Sequence, residues 1–430
     1  MNLKLRYASP GDANDISHLY KQAYAPPGGG LAHEHYPYPQ LLMPDHLVRT
    51  YLNHPNICWI VADWGGELVG SAAAQRNIGT IDDRVSEVFG IVVSEDHRGK
   101  GYGTKLLAHL CEELRDQTEF ILCEARTAEY GWRIAEKVGF HPLGLEPFGH
   151  HTPDGFETML LTGKCPAQKT PAVVSPQVEA LASRVCGISS QPKPKPLFAS
   201  GERNEIIERN DSNNNAREVA NMSQASSLSA LQIKVRQDDA KGKVFMENWR
   251  TRGLHYSGVI GLNRLEGVDV QRMRYRREYH IASIEEEDVG CIRLVWDLLD
   301  RRARMLEMQV LVEGIQGILM SETISSVARR KDQEHLTIVL DVRADSVMLH
   351  NTLTQLGFFP TVYYPALISD QKCRCDAVQF TLLLGCEFDT SLRFLERVNW
   401  EDAATVVNSV RAHHAPPCDC TRTSGNSTIE

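Results

Sequence analysis

No apolar run in this chain approaches the roughly 18 residues a membrane-spanning helix needs, so a transmembrane protein is not expected. Its opening, Met1-Asn2-Leu3-Lys4-Leu5-Arg6, lacks the apolar core of a secretory leader. Strong charge of one sign is also missing. A net charge of −9 over 430 residues argues against a general nucleic-acid or membrane-surface binder, which would carry a basic field. The eleven cysteines are scattered and odd in number, which excludes a disulfide framework and points to free or buried thiols in a reducing compartment. Neither Cys373-Arg374-Cys375 nor His413-His414 with Cys418-Asp419-Cys420 has the spacing of a structural zinc site. His33-Glu34-His35 lacks the helical His-Glu-x-x-His spacing. The expectation is therefore a cytoplasmic protein with no metal, no nucleic-acid partner and no membrane partner.

What is present centres on residues 85–117. Val85 to Val93 is an apolar run rich in β-branched residues and predicts a buried strand. A polar break, Ser94 to His97, leads into Arg98-Gly99-Lys100-Gly101-Tyr102-Gly103-Thr104. Leu106, Leu107, Leu110 and Leu114 then fall on one face of a helix. In a strand–glycine loop–helix unit the first helical N–H groups lack intrahelical partners, and the helix dipole favours an anion beside them. Glycines let the backbone approach that anion closely. Arg98, Lys100 and the Thr104 hydroxyl add charge and a hydrogen bond, so the stretch reads as a pyrophosphate cradle. A dinucleotide fingerprint would need a third glycine where Thr104 stands, and a P-loop would need a closing Gly-Lys-Ser/Thr.

The pattern that fits is Arg/Gln-x-x-Gly-x-Gly/Ala, filled by Arg98, Gly101 and Gly103. It resembles the acetyl-CoA-binding motif of the GNAT (GCN5-related N-acetyltransferase) superfamily. The flanking periodicities read β-α-α-β-β-β-α-β-α-β-β over residues 1–165, which is that family's order, and Val138-Gly139-Phe140 resembles the step that ends its fourth helix. The resemblance implies an α/β (α+β) fold with a mixed, mostly antiparallel sheet flanked by helices. It also implies transfer of an acetyl group from acetyl-CoA, as co-substrate, to a primary amine by direct attack. The pyrophosphate would sit on residues 98–104: Arg98, Gly99, Lys100, Gly101, Tyr102, Gly103 and Thr104. Backbone N–H groups near Ile91 and Val93 would bond the pantetheine and the thioester oxygen. Glu87, on the same strand, occupies the offset of the catalytic glutamate in the histone acetyltransferase branch and is the candidate base. Ala135 stands where many members carry a tyrosine acid, leaving Tyr130 on the same helix as the substitute. The loop between the first two helices, with Glu34, Tyr36 and Tyr38, is the candidate acceptor pocket, and its chemistry suits a cationic amine.

Residues 166–240 turn proline-rich and polar, with one short helical stripe from Val178 to Val185, and read as a flexible tether. Residues 241–400 repeat the element order, including Leu356-Gly357-Phe358, and resemble a degenerate second GNAT domain. Its Glu307 falls on the strand equivalent to the one bearing Glu87, but no cradle follows that strand, and Glu313 would repel a phosphate. Residues 401–430 read as a disordered tail. The reading is a tandem acyltransferase acting on a small-molecule amine. A protein lysine or N-terminus as acceptor, and a non-catalytic acyl-CoA sensor or scaffold, stay open beside it.

Overall fold

The periodicities of the sequence become elements in a computed structural model, which describes residues 2–23, 45–78, 84–127, 131–152, 155–165, 174–189, 233–252, 259–260, 262, 275–298, 300–312, 314–329, 336–370, 373–385 and 398–413. The first repeat has strands β1 (Leu3–Tyr7), β2 (Ile57–Trp64), β3 (Glu67–Arg76), β4 (Val85–Val93), β5 (Phe120–Arg126), β6 (His141–Thr152) and β7 (Gly155–Lys164). Helices α1 (Ala13–Ala23) and α2 (Asp45–Leu52) follow β1, α3 (Tyr102–Leu114) follows β4, and α4 (Gly131–Val138) follows β5. The leucine stripe predicted for α3 is buried with β2 and β3 residues on one sheet face. Ile16, Leu19 and Tyr20 of α1 pack with Trp59 and Phe89 on the other. Each such leucine or isoleucine withdrawn from water contributes about 1.5–3 kcal/mol before ordering costs.

The second repeat has β8 (Ile233–Gln237), β9 (Val259–Ile260), β10 (Tyr275–Ile284), β11 (Glu287–Asp297), β12 (Arg302–Val310), β13 (Leu336–Arg343), β14 (Phe359–Asp370) and β15 (Cys373–Leu384). All strands form one sheet in the order β1-β2-β3-β4-β5-β7-β6-β14-β15-β13-β12-β11-β10-β8, with β9 on β13 off this path. From each edge inward, both repeats have the same order. The two meet where β6 pairs antiparallel with β14 through Gly144↔Val362. Matching registers make these two residues equivalent positions of the repeats, so an approximate two-fold axis passes through their pair.

Two stretches differ from the sequence reading. Within the predicted tether, α5 (Pro176–Ser189) is a helix, and β8 starts the second repeat at Ile233 rather than 241. Within the predicted tail, Glu401–His413 is also a helix. Both helices pack on β6, on β14 and on one another, covering the join. Val178, Leu181, Val185, Val406 and Val410 are fully buried there. These helices are ordered by a surface that exists only when both repeats are present, which local composition does not report.

Candidate active site

β4 and β5 pair in parallel only from Val85↔Phe120 to Val88↔Cys123. Beyond that point the two strands diverge and form a fork. On its β3 side, β4 carries a bulge: Ser71 pairs with Val92 and Ala73 with Phe89, so Gly90 and Ile91 together oppose Ala72. Gly90 takes φ +62, the left-handed conformation such a bulge demands. The Tyr20 hydroxyl of α1 donates to the Gly90 carbonyl and holds the bulge in place. Ile91 and Val93 lie on this segment past the last β5 pairing, half-buried, where their main chain lines the fork.

The glycine-rich loop follows β4 and leads into α3. Gly99 and Gly101 both have φ +76, and a Cβ on either would meet no heavy atom within 4 Å, so the backbone faces open space. Gly101 caps α3 without a side-chain bond, and the first turn of the helix holds no acidic residue. Arg98 and Lys100 are exposed and rest on nearby carbonyls, Arg98 Nε donating to Val93 (3.2 Å) and Lys100 Nζ to Asp96 (2.9 Å). Gly103 serves packing instead, since a Cβ there would stand 2.8 Å from Ile134 Cδ1 of α4. The ring of Tyr102 is buried between Trp64 and His97, with centroids 6.0 and 6.1 Å away, which leaves its main chain for a ligand. Thr104 is half-buried in the first turn of α3.

Glu87 is 3 % exposed, opposite Gln75 on β3 and Leu122 on β5, one residue before the fork opens. Strand alternation puts it on the face of Phe89, which packs with α1. Ala135 is fully buried in the core under α3, so that position supplies no acid. The sequence-based candidates Tyr130, Glu34, Tyr36 and Tyr38 lie outside the described residues. Cys123, at the last parallel pair, escaped sequence reasoning altogether. Burial pushes its thiol up to about 12, and those of Cys111 and Cys58 up to about 12 and about 11. Burial thus disfavours the thiolate form of all three.

The second repeat has the fork without the site. β12 and β13 pair in parallel from Arg302↔Thr337 to Met305↔Leu340. The next β13 residues, Asp341 and Val342, pair with Ile260 and Val259 of β9, so the protein's own strand fills this fork. Eight residues, 94–101, separate β4 from α3, whereas only five, 311–315, separate β12 from the helix Gln316–Ala328. Glu307 does lie on the equivalent strand, β12, but at a different position from Glu87. The position equivalent to Glu87 is Arg304, opposite Val339 as Glu87 is opposite Leu122. Glu307 is instead paired with Arg293 at 3.2 Å. One acetyl-CoA per chain is therefore expected in calorimetric titration of the whole protein; a stoichiometry of two would show that β9 yields its place.

A glycine-rich loop and a helix N-terminus without a side-chain cap thus follow directly on the forked parallel strand pair. Residues 15–140 match the family model of the Acetyltransferase (GNAT) family, and the chain carries a GNAT N-acetyltransferase domain there. Among solved structures it is similar to the ribosomal-protein-S18-alanine N-acetyltransferase of Escherichia coli (18% identity, 40% of this chain and 100% of that one, TM-score 0.31). It is similar also to a putative acetyltransferase of Salmonella typhimurium holding acetyl-CoA (16% identity, 40% and 99%, TM-score 0.34). A phosphinothricin acetyltransferase of Sinorhizobium meliloti in complex with acetyl-CoA gives 21% identity over 38% and 88% of the two chains, with a TM-score of 0.33. No curated protein matches significantly. Among the described residues no helix is long and apolar enough to cross a membrane.

Proposed function

We propose that the first repeat moves the acetyl group of acetyl-CoA directly to a primary amine of a small molecule, and that the second repeat is a degenerate GNAT domain retained as a scaffold. The open cradle that follows the forked strand pair carries this reading. Pyrophosphate binds the main chain of residues 98–104, and the pantetheine arm runs along β4 beside Ile91 and Val93. The amine attacks the thioester carbonyl, forming the C–N bond. The C–S bond breaks, and CoA leaves as a thiolate that takes a proton from water or from Tyr130. The ammonium proton passes to Glu87, directly or through one water.

Glu87→Gln keeps the shape of the side chain and removes its basicity. Turnover is expected to fall by roughly 10²–10⁴-fold, the usual contribution of a positioned base, while acetyl-CoA affinity holds. Unchanged turnover would remove Glu87 from the mechanism. The reading as a whole is tested by thiol release from acetyl-CoA against a panel of amines, polyamines and peptides. Release that depends on a small amine supports it. Release only with peptides moves the acceptor to a protein, and acetyl-CoA binding without release on any amine replaces the enzyme with a sensor.

A further inference from the structure

The β6–β7 hairpin of the first repeat bends at a bulge between Glu146 and His150, with Phe148 at φ +52. The second repeat has the same bend, between Tyr364 and Ile368 of β14, with Ala366 at φ +54. A non-glycine residue in this conformation is strained and persists only where its surroundings hold it. In the second repeat the holding groups are local. Asp376 Oδ1 accepts from the Ala366 N–H (2.8 Å), and Arg374 Nε donates to the Ala366 carbonyl (2.6 Å). Register places Phe156 and Thr158 at the equivalent positions of the first repeat. Phe156 offers only a ring-edge contact to Phe148, with centroids 5.8 Å apart, and Thr158 Oγ1 is buried with no hydrogen-bond partner among the described residues.

The first bend is gripped from across the join. Arg302 and Arg304 of β12 both bind the Glu146 carboxylate, Arg304 at 3.0 Å, and Arg304 is itself anchored on Asp341 at 2.7 Å. Asp300, in the β11–β12 turn, meets His150 Nδ1 at 3.2 Å; the two side chains are 3 % and 2 % exposed. The Arg301 guanidinium lies 6.0 Å from the centre of the Phe156 ring. The bend also abuts the fork. Glu146 pairs with Met159, and Met159 with Arg126 of β5, so one row of residues runs from the bend to the fork-lining strand. Arg126 binds Glu157 at 3.0 Å, and Glu157 is the residue opposite His150. Burial alone would lower the Arg302 pKa, but Glu146 and Glu124 of the first repeat and Asp300 and Asp297 of the second more than offset it, so the guanidinium stays charged.

We propose that Arg302 and Asp300 are positioning residues for the first repeat's reaction: they fix the bent β6–β7 hairpin beside β5, where it walls the open end of the fork, so that this wall is incomplete without the second repeat. The proposal rests on the transferase reading above for what the fork does, but not for whether its wall is held. In this view the second repeat lost its own cradle and kept the turn and strand that shape its neighbour's site.

The test uses the full chain with Arg302→Met and, as the milder variant, Asp300→Asn. Hydrogen–deuterium exchange is compared over β6 and over α3, and steady-state kinetics are run with any amine that releases thiol. Both variants are expected to exchange faster over β6 with α3 unchanged. For the amine, kcat/KM should fall roughly 10–100-fold, as for a misplaced binding wall, while the KM for acetyl-CoA stays within about twofold of the unmodified protein. Exchange over β6 equal to that of the unmodified protein would overturn the proposal. So would loosened exchange with the amine parameters unmoved, which would leave the grip purely structural. Were no amine to release thiol from the unmodified protein, the functional reading would fail, and the exchange comparison would still decide whether the second repeat holds the hairpin.

Discussion

Gly144→Val is expected to unseat the two repeats from each other and to cost more stability than any single substitution in the cradle or at Glu87. A Cβ at Gly144 would stand 2.0 Å from the Thr361 carbonyl oxygen and 2.5 Å from Val362 Cα. Both are backbone atoms of β14, so no side-chain rotation relieves the clash; the strands must separate. Separation strips the cover from α5 and from Glu401–His413, whose apolar stripes are buried over this join. It also pulls Arg302 and Arg304 from Glu146, and losing one partner of a buried ion pair alone costs about 3–5 kcal/mol. The sum lies above about 4 kcal/mol, the range of exceptional single substitutions. Denaturant unfolding checks it. The expected outcome is a lowered midpoint or two separate transitions; a single transition at the original midpoint would show that β6 and β14 do not meet through Gly144.

The legible parts of this chain are those whose cause is local. β4 announced itself by β-branched residues, α3 by its leucine stripe, and the cradle by glycines that need positive φ. β4 occupies the range its sequence suggested, and α3 contains the leucine stripe but starts at Tyr102, within the glycine-rich stretch. The repeat was legible in element order and in the two Gly-Phe steps. What escaped depends on the other repeat. Val178, Leu181 and Val185 form a short stripe in a polar, proline-rich stretch, and only the join explains why they are ordered. β9 is two residues long, and no periodicity identifies two residues; its place follows from an open β13 edge. That Arg304, not a carboxylate, stands at the position of Glu87 follows from the pairing of β12 with β13, which sequence spacing does not report. The grip on Glu146 joins residues more than 150 positions apart, and nothing near either partner in sequence reports it.

Gly101→Glu is expected to abolish acetyl-CoA binding while leaving the fold in place. The two halves of that expectation come from separate observations. A Cβ at Gly101 meets no heavy atom within 4 Å, so the new side chain has room, and its cost to the fold is the strain of a non-glycine residue at φ +76, of order 1–3 kcal/mol. That strain is borne at an exposed residue away from the join, at the edge of the core that Tyr102 enters. The ligand meets a different situation. In the proposed reading pyrophosphate binds at the N-terminus of α3, which has no side-chain cap and no acidic residue in its first turn, with Arg98 and Lys100 in the preceding loop. A carboxylate introduced at the cap competes for the same N–H groups and repels the incoming charge. At about 4–5 Å and an effective dielectric near 20, each pair of unit charges is worth roughly 3–4 kcal/mol, or a 100- to 1,000-fold loss of affinity. Gly101→Ala separates the two effects, since it carries the backbone strain without the charge. Its acetyl-CoA affinity is expected to fall far less than that of Gly101→Glu, with thermal unfolding of the two alike. Equal losses in both variants would place the requirement in the backbone conformation of the loop. Retained binding in Gly101→Glu would mean that the pyrophosphate does not lie at the start of α3, and the assignment of residues 98–104 would fall with it.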